Sequence, residues 1–260
     1  MTAFVHSFQS EWLKTKRSLA LWMVLIGGFF TPLIIIGARL FHYSALPELY
    51  SAENFWNALW KSSWESMAVF FLPLGAILAT SLITQIEYKN NTWKQLHTLP
   101  LSYTTIFFSK LSVILVLMIL FFVLFNIGIY LSALIPYLLV SGTPYPPQPI
   151  PFSLFARENA LYFIDCLPIV ALQYLISLRF KNFLVPVGLG FAFWVGALGM
   201  VSSRFGFAMP YAYTILNYLK DAEKTRAIIP DINIHLIALG YFAAITIVSY
   251  VLYITNREKG

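Results

Sequence analysis

Chemistry in a polypeptide starts from ionisable and nucleophilic side chains, and in this chain they are sparse. His6, His42, His97 and His235 are scattered, with no two at metal-ligand spacing, and Cys166 is the single cysteine. Neither a metal-ligand set nor an intramolecular disulfide can be assembled from them. The zinc-protease pattern H-E-x-x-H, a G-x-S-x-G turn and the phosphate loop G-x-x-x-x-G-K-[ST] are all missing from the sequence, so no enzyme emerges from its motifs. What remains is Asp165, the one acid well inside a long apolar run, with Gln173 farther along the same run. Isolating a charge from water is costly, so such an acid is a functional candidate by default. Two readings stay open for it: with Gln173 it lines a path for a solute, or it lies near the outer headgroups or pairs with an outer Arg. Asn126, in another apolar run, reads as a helix-to-helix hydrogen bond.

The elements that must position these groups are set by composition. Hydrophobic residues make up 59% of the 260 and charged residues 11%, and the mean hydropathy is +0.73. That excludes an ordinary soluble domain and predicts an integral membrane protein. The net charge of +6 sits at the ends of apolar runs, where it meets headgroups and orients the chain, so nucleic acid is not the expected partner. Six runs are long enough to cross hydrocarbon as helices, at 19–38, 66–86, 111–140, 159–177, 183–202 and 234–255. They are continuously apolar rather than alternating, which predicts helices and not barrel strands. The first run lacks a small-residue cleavage site and is expected to stay as an anchor.

Orientation follows from Lys and Arg. With the N-terminus inside, the inner segments hold Lys14, Lys16, Arg17, Lys89, Lys94, Lys110, Arg179, Lys181, Arg257 and Lys259, ten of 17. The positive-inside bias then puts both termini in the cytoplasm. On the outer side, SAENFWNALWKSSWE (51–65) places Phe55, Leu59, Trp60 and Trp64 at helical spacing, which suits either an interfacial amphipathic helix or an aromatic belt anchoring the second span. The proline-rich run 143–151 predicts a stiff, extended connector.

Two inner segments stand out. In FVHSFQSEWLKTKRS (4–18), Phe4, Phe8 and Trp12 form one helical stripe. This predicts an interfacial helix over 1–18 that leaves Gln9, Glu11, Lys14 and Lys16 facing water and headgroups. The other is IEYKNNTWKQLHTLPLSYTTIFFSK (86–110). Asn90, Asn91 and Thr92 are turn and cap residues that can start a short helix through Trp93, Lys94, Gln95, Leu96 and His97. Pro100 then breaks it, and Ser102 caps the next helix. A small apolar face of Trp93 and Leu96 at the mouth of two spans is what a docking element needs to carry motion into the membrane.

Together, SEWLKTKRS before the first span, the pattern E-x-x-x-x-T-W-K-x-L-x-T-L-P-L-S from Glu87 to Ser102, and Lys110 resemble the membrane subunit of ABC exporters of the ABC-2 permease type. The six-span plan is similar along essentially the whole chain, and a lantibiotic-immunity or bacitracin-export subfamily is the nearest in style. The resemblance implies an all-α permease that pairs with itself or a sister permease and binds two separately encoded ATPase subunits, which hold the ATP and Mg. It assigns the segment 87–105 to ATPase coupling, through Glu87, Thr92, Trp93, Lys94, Leu96 and His97. It also implies export of a hydrophobic or amphipathic substrate across a bacterial inner membrane. A secondary transporter or assembly factor working without ATP is the other class the residues leave open; an ion-coupled carrier should show several charges around a mid-membrane site.

Overall fold

The computed structural model describes residues 2–89, 101–203, 205–221 and 232–255, and among these the secondary structure is entirely helical. Helix α1 (Thr2–Lys16) is followed by α2 (Leu19–Phe41), a 3-10 turn (Tyr43–Ala45), α3 (Leu46–Ser51) and α4 (Phe55–Ser66). A π-turn (Met67–Phe71) joins α4 to α5 (Leu72–Lys89) without a break. Beyond the segment 90–100 come α6 (Tyr103–Leu139), α7 (Phe152–Arg179), α8 (Leu184–Met200), α9 (Tyr213–Asp221) and α10 (Ile234–Thr255). Five of the described helical stretches are long and apolar enough to cross a membrane, and α8, at 17 residues, is apolar but shorter. The chain is an all-α polytopic membrane protein.

Long helices in lipid tolerate proline only where another group satisfies the carbonyl left without its N–H. Pro73 orphans the carbonyl of Val69, inside the π-turn, and the Trp194 indole of α8 donates to it at 2.9 Å. Pro136 likewise orphans the carbonyl of Ser132, and Arg39 at the end of α2 donates to it at 2.8 Å. One residue on, the Tyr50 hydroxyl of α3 donates to Ala133 O at 2.7 Å. Each proline thus turns an internal helix bond into a contact between helices. Trp194→Phe keeps the ring and removes the donor. It is expected to cost about 1–3 kcal/mol, because the Val69 carbonyl is left without a partner, read as a fall in melting temperature in detergent.

Helix α6 is the axis of the bundle: α2 and α1 pack along it, while α7 carries α5 and α10. The crossing of α2 and α6 is close because Gly28 and Gly128 face the other helix; a Cβ on Gly128 would lie 2.6 Å from the Pro32 ring. Small residues at a crossing are the usual means of close approach in lipid. The aromatic run 55–64 corrects the expectation of an interfacial helix or belt. Phe55, Trp56, Leu59, Trp60 and Trp64 are buried, with Trp64 stacked on Tyr162 of α7 at 3.8 Å and edge-on to Phe125 of α6. The rings therefore fill the core, and the helix containing run 66–86 begins eleven residues earlier, at Phe55. Residues 143–151 are free of helix, and Gln148 O accepts from the Trp56 indole.

Candidate functional site

The segment 90–100 enters from α5 and leaves into α6, so the last turn of α5 and the first turns of α6 are its two roots. Ser102 caps α6, its Oγ accepting from Thr105 N at 3.2 Å. Glu87, in the last turn of α5, and Lys110, in the second turn of α6, are both buried. They meet: Lys110 Nζ lies 3.1 Å from Glu87 Oε1. The second partner of Lys110 comes from α1, where Glu11 Oε2 accepts at 2.6 Å. Lys14, one turn on, reaches both acids, at 2.5 Å from Glu11 and 3.1 Å from Glu87. Two cations and two carboxylates close a charge-balanced ring across three helices.

This arrangement corrects the placement of α1. The face that packs on α6 is Ser7, Glu11 and Thr15, spaced by four and rotated about 60° from the aromatic stripe. Ser7 Oγ lies 2.8 Å from Ser109 Oγ of α6. Glu11 is 4% exposed rather than facing water and Lys14 is half-buried, whereas Gln9 and Lys16 are exposed as expected, and Phe4 and Leu13 are exposed beside them. Burial pushes the Glu11 carboxyl up, but the ammonium groups of Lys110 and Lys14 more than offset this and leave it below its ordinary value. Tyr174 of α7 and Tyr253 of α10 lie within electrostatic reach of Glu11 and Glu87. Gln85 closes the floor by donating to Phe180 O, just past α7, at 2.6 Å, and Thr104 meets the Tyr250 hydroxyl of α10 at 2.7 Å.

Buried ion rings contribute little net stability, because desolvation cancels most of the attraction, yet breaking one leaves an uncompensated charge. Their effect is to fix geometry. Here the fixed quantity is the separation of the two roots of segment 90–100, referenced to α1.

Residues 7–197, nearly three quarters of the chain, match the family described as ABC-2 family transporter protein. The chain belongs to the ABC-2 transporter family. As an ABC-2 permease it is the membrane subunit of an ABC transporter, which works with a separate ABC ATP-binding subunit and is not itself the ATPase. Comparison with curated proteins and with solved structures gave no match.

The remaining expected site residues of this permease fall in three places. Thr92, Trp93, Lys94, Leu96 and His97 lie outside the described residues. Asp165 is fully buried in α7, and its Oδ1 is 2.8 Å from Nδ1 of His235, in the first turn of α10. Gln173 is also buried, at a junction of helices away from Asp165. Its Nε2 donates to Ser81 Oγ of α5 and to Pro186 O of α8, and its Oε1 accepts from the Tyr211 hydroxyl. Gly190 makes room for that amide, since a Cβ there would lie 2.5 Å from Gln173 Oε1. Asn126 forms a reciprocal amide pair with Asn159 of α7, both bonds at 2.9 Å, the helix-to-helix bond its position predicts. Sequence reasoning missed Glu11 as a site residue. The available signal was the Ser7, Glu11, Thr15 repeat, small polar side chains at helical spacing beside a basic turn.

Proposed function

We propose that this permease exports a hydrophobic or amphipathic substrate across a bacterial inner membrane, with both termini cytoplasmic. In this reading two permeases, identical or sister chains, share a complex with two ATPase subunits that hold the ATP and Mg. Segment 87–105 is the coupling element, with Thr92, Trp93, Lys94, Leu96 and His97 on the docking helix and Glu87 at its root. The observation that carries the reading is the ring of Glu11, Lys14, Glu87 and Lys110. A segment that receives force from a partner needs rigid roots, or the displacement is lost in local bending. The ring ties both roots to α1 and, through Gln85 and Thr104, they also contact the ends of α7 and α10. Family membership favours this over a carrier working without ATP, and Asp165 paired with His235, with Gln173 bonded by α5, α8 and the Tyr211 hydroxyl, supply among the described residues no cluster of charges of the kind an ion-coupled site uses.

The test is association. Trp93→Ala combined with Leu96→Ala should reduce co-purification of the ATPase at least about tenfold, as loss of an apolar anchor pair does at an interface. Helical content and melting should not change. Full association of the double variant would overturn the docking role.

A further inference from the structure

A groove runs between α6 and α7, made of two cavities of about 520 and 510 Å³ that share Asn126 and Asn159. One wall is the α6 stripe Ile119, Val123, Ile127 and Tyr130, spaced by three or four so that all stand on one helix face. These side chains are 41–50% exposed, so their apolar surfaces are open to whatever fills the groove. The opposite wall holds Ala156 and Ala160 of α7, both exposed and about one turn apart, and their short side chains leave the depression. Helix geometry gives its depth. From Lys110 of the ion ring, Ile119 lies about 14 Å and Tyr130 about 30 Å along α6. With the ring at one face of a hydrocarbon core about 30 Å thick, the groove covers the far half, which is the depth and length of one leaflet.

The chemistry of the lining selects the occupant. Asn126 Nδ2 donates to Asn159 Oδ1 and to Phe122 O, and Asn159 Nδ2 returns the bond and donates to Phe155 O, so all four amide N–H groups are used. A peptide laid there would bring a carbonyl with every residue, and the amide pair has no free N–H to give it. A helix, about 10 Å across, cannot wedge between walls that the same pair ties together at mid-groove. A hydrocarbon chain needs no polar partner and fills a narrow cleft by dispersion contact alone. We propose that the α6–α7 groove binds one acyl chain of a bilayer phospholipid from the leaflet away from the ion ring, its glycerol end at Tyr130 and its tail reaching Ile119. The site does not depend on segment 87–105 or on the direction of transport.

The experiment is photolabelling of the full chain in lipid nanodiscs that contain a phosphatidylethanolamine with a diazirine midway along one acyl chain, the labelled peptides being mapped by mass spectrometry. Label on 119–130 and 156–160 is expected at about threefold or more the level on the exposed apolar faces of α2 and α10, because a chain held in a cleft keeps more contacts than one lying on a convex helix. Ala156→Leu combined with Ala160→Leu fills the depression and should bring the groove down to the level of those faces, with label on α2 unchanged. Both alanines are exposed, so melting of the double variant should match wild type. The wild-type map decides even if that variant does not fold: an even spread of label over all exposed faces would overturn the site. Unchanged groove label in a folded double variant would overturn it too. So would a disulfide between copies in Ile127→Cys, which would give the groove to a second permease; Cys166 is buried and does not compete.

Discussion

Lys110→Met is expected to destabilise the protein by about 3–5 kcal/mol, the cost of breaking a buried ion pair from one side. The substitution keeps the length of the side chain but leaves Glu11 and Glu87 facing one another with only the half-buried Lys14 between them. Melting in detergent, followed by tryptophan fluorescence, reads the loss. Adding Glu11→Gln to Lys110→Met should recover a large part of it, because a neutral pair of similar volume no longer carries an uncompensated charge. If segment 87–105 is the coupling element, the double variant should still fail to couple, with ATPase bound but transport lost, since the roots of segment 90–100 are no longer held at one spacing. An unchanged melting temperature in Lys110→Met would mean that the ring is not buried as described.

The same ring predicts a pH dependence of fixed sign. The Glu11 carboxyl lies below its ordinary value of 4.5 in the folded protein. The stability it contributes is therefore fully present above that value and is lost as the pH falls through the lower, folded-state value. The stability gap between wild type and Glu11→Gln should be full at neutral pH and should close only under acid, below the ordinary carboxylate value of 4.5.

Gly128→Val is expected to separate α2 from α6 and to prevent a stable fold. The first added carbon already meets the Pro32 ring at 2.6 and 2.9 Å and Phe29 at 3.3 Å. The proline ring cannot rotate aside, so the helix itself must shift. Overpacking of this kind costs about 1–3 kcal/mol where neighbours can adjust, and here the upper end or beyond is expected. Expression of monodisperse protein and its melting temperature are the readouts. At Gly37, where an added Cβ meets nothing within 4 Å, the equivalent Gly37→Val should be mild, and it serves as the control for a general effect of branching in a helix.

The helices and the membrane class were legible because long uninterrupted apolar runs admit few alternatives. Which face of a helix turns inward was not. In water an apolar stripe points to the core, so Phe4, Phe8 and Trp12 would mark the buried side of α1. Beside lipid the stripe has a second apolar environment to face, and the polar stripe Ser7, Glu11, Thr15 is free to pack against α6, where its hydrogen bonds can be met. Amphipathicity therefore located α1 but left its rotation open. The run 55–64 misled for the same reason: its rings were compatible with an interface, while their stacking partners Tyr162 and Phe155 lie about a hundred residues away. The sequence singled out Glu87 by its place beside segment 90–100 but not its ring partner Glu11, and the pairing of Asp165 with His235 depended on the register of α7 against α10. No local pattern encodes that register.

The π-turn at Met67–Phe71 has a mechanical consequence. From Leu72, where α5 resumes regular winding, to Glu87 is fifteen residues, or about 22 Å at the helical rise. With Trp194 pinning the turn at one end and Lys110 gripping the other, α5 is a lever with a built-in fulcrum. A displacement of about 3 Å at its Glu87 end needs a swing of only about 8° over that arm. In the proposed coupling role, a modest push on that end would change the tilt of α5 without any helix having to unwind.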